Sequence, residues 1–140
     1  MRVRTRAREL ALQFLFQMDF QGQDYREELE RFLDEHLEGK SGAEEARAYA
    51  IRLVDGVRAN TNRINQLIQD AARNWDLDRM AGIDRNALRI GVYELIFNND
   101  VPMRVAINEA IELGKRYSTE ASGAFVNGIL DRIRRDWVVT

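Results

Sequence analysis

Val101-Pro102-Met103-Arg104-Val105-Ala106-Ile107-Asn108-Glu109-Ala110-Ile111-Glu112-Leu113-Gly114-Lys115-Arg116-Tyr117 carries the period that decides the fold. Apolar residues return at Ala106, Ile107, Ala110, Leu113 and Tyr117, the three-and-four spacing of one helical face, while Glu109 and Glu112 fall outward. Val101-Pro102 ends what precedes and starts this helix, because proline lacks an amide hydrogen and has a φ suited to a first turn. The chain has one proline and no alternating β-branched run, so helix is expected throughout.

Outward from this stretch the same period marks seven segments. Downstream, Ser118 or Thr119 caps a seventh helix lined by Phe125, Val126, Ile129, Leu130 and Ile133, with Trp137 extending the stripe. Upstream, Asp84 is the expected N-cap of a fifth helix with Ala87, Leu88, Val92, Leu95 and Ile96 inside, and Trp75 to Ile83 is a connector. Asn60, Thr61 and Asn62 read as an N-cap cluster for a fourth helix bearing Ile64, Leu67, Ile68 and Ala71; one long bent helix across the cluster is the alternative. The third helix starts near Ala43 and buries Ala46, Tyr49, Ala50, Leu53, Val54 and Val57. The second, from about Asp24 to Glu38, buries Leu29, Phe32, Leu33 and Leu37, and Gly39 and Gly42 form the loop after it. The first, from about Thr5 to Phe20, is closed by Gly22; it sets Leu10, Ala11, Phe14, Leu15 and Met18 on one face and Leu12 and Phe16 on another. The expectation is an all-α fold: a single compact seven-helix domain over residues 1–140, since 45% hydrophobic content at this length suffices for one core.

The residues that would do chemistry are missing. There is no cysteine, which excludes disulfides, thiolate metal sites and thiol catalysis, and His36 is the sole histidine, set in a charged stretch as an ordinary surface or boundary residue. Glu109 and Glu112 stand at i, i+3, but bundle metal sites place a histidine three residues after a glutamate, so a solvated face is expected. No phosphate-cradling, dinucleotide or nucleophile-elbow motif occurs. No catalytic residue, metal or cofactor is therefore expected. The start of the chain lacks an apolar signal run and no window reaches a membrane span, which predicts a soluble, cytoplasmic protein.

Charge is distributed unevenly. Arg2, Arg4, Arg6 and Arg8 give +4 with no acid among the first eight residues, so a net charge of −2 leaves −6 on the other 132. A basic N-terminal arm (about 1–8) on an acidic body points to a polyanion bound at one place, because guanidinium forks bond phosphate at any cellular pH. A solubilising tail is the plain alternative. Phe16 follows Arg8 by little more than two helical turns, and single-stranded RNA is held by charge plus aromatic stacking, although core packing also explains a phenylalanine there.

Three blocks in order carry a family resemblance. Val101-Pro102 with Val105 to Leu113, followed by Phe125-Val126-Asn127-Gly128-Ile129-Leu130-Asp131, resembles the C-terminal signature of the NusB family. Arg4-Thr5-Arg6-Ala7-Arg8-Glu9-Leu10-Ala11-Leu12-Gln13 is similar to that family's opening, and Leu88-Arg89-Ile90 with Tyr93-Glu94-Leu95 to its fifth helix. The resemblance implies a seven-helix antitermination factor, not an enzyme. Such a factor binds boxA single-stranded RNA of ribosomal RNA leader transcripts with the ribosomal protein acting as NusE, within an RNA polymerase antitermination complex; monomer and homodimer both stay open. It carries RNA contact over to Arg2, Arg4, Arg6, Arg8, Phe16, Asp84 and Phe125; Phe16 stands for a stacking tyrosine and keeps the ring without the hydroxyl. Gly114 and Tyr117 depart from the alanine and phenylalanine of many members. The helical N-terminal part of certain ribosomal RNA cytosine methyltransferases is also similar, but that enzyme needs a catalytic domain for which this length leaves no room. A stand-alone helical protein-interaction module with an incidental arm is the remaining alternative.

Overall fold

Residues 2–19 and 24–138 are described by a computed structural model. Among the described residues seven α-helices follow as the periodicity requires: α1 (Val3–Met18), α2 (Arg26–Leu37), α3 (Ala43–Ala59), α4 (Thr61–Ala71), α5 (Gly82–Val92), α6 (Met103–Tyr117) and α7 (Glu120–Trp137). A 3-10 turn at Leu77–Arg79 precedes α5, and a π-turn at Tyr93–Phe97 prolongs it. Among the described residues there is no strand, and no helix is long and apolar enough to cross a membrane. The expected close of α1 at Phe20 and Gly22 lies outside the described residues. The helices gather into two compact units, Met1–Asp55 and Gly56–Thr140.

In the first unit α1 begins at Val3, two residues earlier than its apolar pattern indicates, and the Arg6 amide already donates to the Arg2 carbonyl at 3.0 Å. Arginine, alanine, glutamate and leucine are all strong helix formers, so nothing holds residues 3–8 in an extended arm. Ala7 to Leu12 is buried without interruption. Phe14 meets Phe32 of α2 with ring centroids 5.6 Å apart, and Phe32 meets His36 at 4.2 Å. Asp55 of α3 receives the start of α2, accepting from Tyr25 Oη and Arg26 Nη2, both at 2.7 Å. The α2–α3 turn relies on Gly39 and Gly42, both at φ +73°, a region that side chains disfavour.

In the second unit α6 and α7 pack together and against α5. The crossing depends on Gly91, where a Cβ would stand 2.8 Å from Leu130 Cδ1 and 3.0 Å from Ala110 Cβ. Thr119 caps α7 as expected: its side chain accepts from the Ser122 amide while Ser122 Oγ answers the Thr119 amide. A Cβ at Gly114 would meet Ser122 Cβ at 3.3 Å, so this departure from the family pattern leaves a close α6–α7 approach that an alanine would crowd slightly.

Three expectations change here. α3 and α4 are separate helices and Asn60 stands at the N-cap of α4 as expected, but its side chain makes no capping bond; Asn60 Nδ2 donates to the Gly56 carbonyl at 2.8 Å and Thr61 Oγ1 to that of Val57 at 2.9 Å. They turn back to carbonyls of the last turn of α3, where Gly56 also accepts from the Asn60 amide at 3.2 Å and Arg58 from Thr61 Oγ1 at 3.0 Å. Asp84 is not an N-cap. Ala81 holds that position, because the Arg85 amide bonds the Ala81 carbonyl at 2.9 Å and brings the first turn forward. Trp137 does not extend the buried stripe; it is 51% exposed, with the Arg63 guanidinium 4.7 Å from its ring centroid.

Candidate nucleic-acid interface

Alternate arginines on a helix diverge. At about 100° per residue, Arg4 and Arg8 share one side of α1, while Arg2 and Arg6 share the other. Arg4 lies 4.3 Å and Arg8 5.6 Å from the Tyr49 ring centroid, and Arg8 is only 3% exposed. These two guanidiniums are seated on α3 by cation–π contact. Arg2 is exposed, and Arg6 is half open, with Nη1 3.3 Å from Glu9 Oε1. Phe16 is partly exposed and falls with Arg2, Arg6, Gln13 and Gln17 within an arc of about 100°, roughly 15 Å along the axis from Arg6. The open stripe of α1 therefore combines two of the four arginines with one aromatic ring.

Within the second unit, Phe125 on α7 is partly buried and meets Trp75 edge-on, with centroids 5.8 Å apart and planes at 80°. Trp75 is 55% exposed in the loop after α4. The two rings border a groove of about 500 Å³ whose walls include Arg73, Asn74, Gly128 and Arg132. Asp131 occupies its neighbours, accepting from Arg134 Nη2 at 2.9 Å and from Arg135 Nε at 3.2 Å. The hydrogen bond from Arg134 holds the Asp131 carboxyl below the usual carboxylate range. Arg73 and Arg132 make no ion pair among the described residues. Two arginines beside two aromatic rings can bond phosphate and stack on bases.

Asp84 stands in the first turn of α5, where the helix dipole favours a carboxylate. Its Oδ1 is buried with no hydrogen-bond partner among the described residues. Phe125 and Asp84 belong to the second unit, and the arginines and Phe16 to the first.

The NusB family model matches residues 5–135. The chain belongs to the NusB family. The transcription antitermination protein NusB of Anaeromyxobacter sp. (strain Fw109-5) is 50% identical over 132 residues, covering 93% of this chain and 88% of that one. The T. maritima NusB structure superposes with a TM-score of 0.83 at 42% identity, covering 95% and 91% of the two chains. A crystal structure of antitermination factors NusB and NusE in complex with double-stranded RNA gives 0.85 at 31% identity, covering 98% and 99%.

In keeping with relatives that are transcription antitermination proteins, this NusB-family chain is not an enzyme. Sequence reasoning missed Trp75, Arg73 and Arg132. A tryptophan in a polar connector, flanked by Arg73 and Asn74, has no helical face to bury and was the available signal. Tyr49 lies in the core as its spacing predicts, but its role as the seat of Arg4 and Arg8 requires the α1–α3 contact.

Proposed function

We propose that this chain is a transcription antitermination factor of the cytoplasm that binds single-stranded boxA RNA of ribosomal RNA leaders together with the ribosomal protein acting as NusE, as part of an RNA polymerase antitermination complex. The observation that carries the reading is the Trp75–Phe125 groove, two accessible rings beside two arginines unpaired among the described residues. Accessible ring faces suit unstacked bases, which a duplex keeps to itself. The solved relative holding NusE and double-stranded RNA supports both partner classes and makes duplex RNA a necessary control. Asp84 enters as a residue near the RNA path, by family resemblance.

Binding is tested by fluorescence anisotropy with boxA, scrambled and duplex RNA, with and without the ribosomal protein. The expected order is boxA above scrambled and duplex, strengthened by the protein partner; equal weak binding to all three would leave the interaction-module reading. Arg2→Ala/Arg6→Ala should weaken boxA binding and reduce the slope of log affinity against log salt by about 0.7 for each phosphate no longer neutralised. Arg4→Ala/Arg8→Ala should instead lower the urea midpoint and leave the slope of the folded protein close to that of the parent. The reverse pattern would move the phosphate contacts to the Tyr49 side.

A further inference from the structure

Trp75 is carried by a loop, and one side chain of α4 holds that loop at two points. Gln69 Nε2 donates to the Trp75 carbonyl at 2.7 Å, and Gln69 Oε1 accepts from the Leu77 amide at 2.9 Å. Asp76 between them is extended, at φ −75° and ψ 131°, which turns the Trp75 carbonyl and the Leu77 amide to the same side. A primary amide supplies a donor and an acceptor from one terminus, a combination that carboxylate, ammonium and aliphatic side chains lack. Around this clamp the Trp75 amide donates to the Ala72 carbonyl at 2.6 Å, and Arg85 Nη1 reaches the carbonyls of Leu77 at 3.3 Å and Met80 at 3.4 Å. Gln69 itself is absent from the walls of the Trp75–Phe125 groove; it borders a separate polar groove with Asn62, Asn65, Asp76 and Asp78.

We propose that Gln69 is the positioning residue of the RNA interface: it touches no RNA, and it sets affinity by fixing the backbone of Trp75 so that the indole stands edge-on against Phe125. The proposal rests on the RNA reading of that groove. Without the clamp, the residues from Arg73 to Asp76 keep the short Ala72 bond but lose the hold beyond the ring. The indole then samples positions away from Phe125, and a stacking ligand has to restore the order.

The test uses the full chain in a Trp137→Phe background, which leaves Trp75 as the one tryptophan and keeps a ring under Arg63. Gln69→Leu removes donor and acceptor, while Gln69→Glu removes the donor and sets a carboxylate against the Trp75 carbonyl. Acrylamide quenching of Trp75 is measured without RNA, anisotropy with labelled boxA RNA, and the urea midpoint for each variant. At pH 7.5 both variants should raise quenching and weaken RNA binding roughly 5- to 20-fold, the scale of one or two hydrogen bonds, with the urea midpoint close to the parent's. Lowering the pH to about 4 should return Gln69→Glu toward the parent measured at the same pH, because a protonated carboxyl regains a donor; Gln69→Leu should not recover. In a Trp75→Ala chain the added Gln69→Leu should weaken RNA binding no further. Variants that bind like a binding-competent parent, or a Gln69→Leu effect that persists without Trp75, would overturn the proposal. A parent that binds no RNA overturns the functional reading and not the clamp, which the quenching arm still decides: unchanged quenching in both variants rejects it.

Discussion

Trp75→Ala is expected to weaken boxA binding roughly 5- to 150-fold, the equivalent of the 1–3 kcal/mol that one base–aromatic stack supplies in single-strand complexes. The ring is more than half exposed, so its removal leaves little cavity and the urea midpoint should move only slightly. Phe125→Ala should lose affinity in the same range and also some stability, less than the roughly 3–5 kcal/mol of a fully buried phenylalanine, because its ring is partly buried. Because the rings touch, the double variant should cost less affinity than the two single variants added together. Phe16→Ala, in the first unit, measures the third aromatic independently. Anisotropy titrations beside urea unfolding separate the cases: full affinity in the folded fraction of Trp75→Ala and Phe125→Ala would remove this groove from the RNA site.

The helices were legible because burial follows a period that residue identity alone displays. Ala43 as the start of α3, Thr119 as the cap of α7 and the buried faces of α3 and α4 follow from spacing and capping chemistry. The candidate site was less legible, because its members are related by contacts between distant residues. Trp75 and Phe125 are fifty positions apart, and no local pattern joins them. Arginines at every second position looked like one cluster, yet a helical backbone sends Arg4 and Arg8 to Tyr49 and leaves Arg2 and Arg6 open. Asp84 and Asn60 are good capping types that the chain uses otherwise, since the helix boundary shifted by a few residues in one case and the side chain turned back in the other. The π-turn at Tyr93–Phe97 has no counterpart in an apolar period of 3.6.

Leu130→Ala is expected to destabilise the protein by roughly 2–5 kcal/mol, a large share of the stability of a typical domain. The side chain is fully buried where α5, α6 and α7 meet, and the space it leaves is walled by helical backbone at Gly91. Gly91→Ala should cost about 1–3 kcal/mol by overpacking, reduced by the up to about 1 kcal/mol that alanine gains over glycine inside a helix. Combining the two should give less than their sum, because the Leu130 methyls are what a Cβ at position 91 would meet first. Ala110 Cβ, at 3.0 Å, keeps the compensation incomplete. Urea denaturation of the two single variants and the double one supplies the cycle. Strict additivity would mean that the helices separate at this crossing when Gly91 is changed.

The edge-on seating of Trp75 also has a consequence in time. The indole rests against Phe125 and its backbone is tied to Gln69 before any ligand arrives. If RNA stacks here as proposed, no ordering step separates encounter from stacking, and the entropy of fixing the ring is absorbed by folding instead of association. Approach would then be governed by long-range attraction to guanidinium groups such as Arg73 and Arg132. The rings would govern departure. Changes to the two kinds of residue should therefore divide between the clocks of binding, with arginine variants slowing arrival and ring variants shortening residence on the surface.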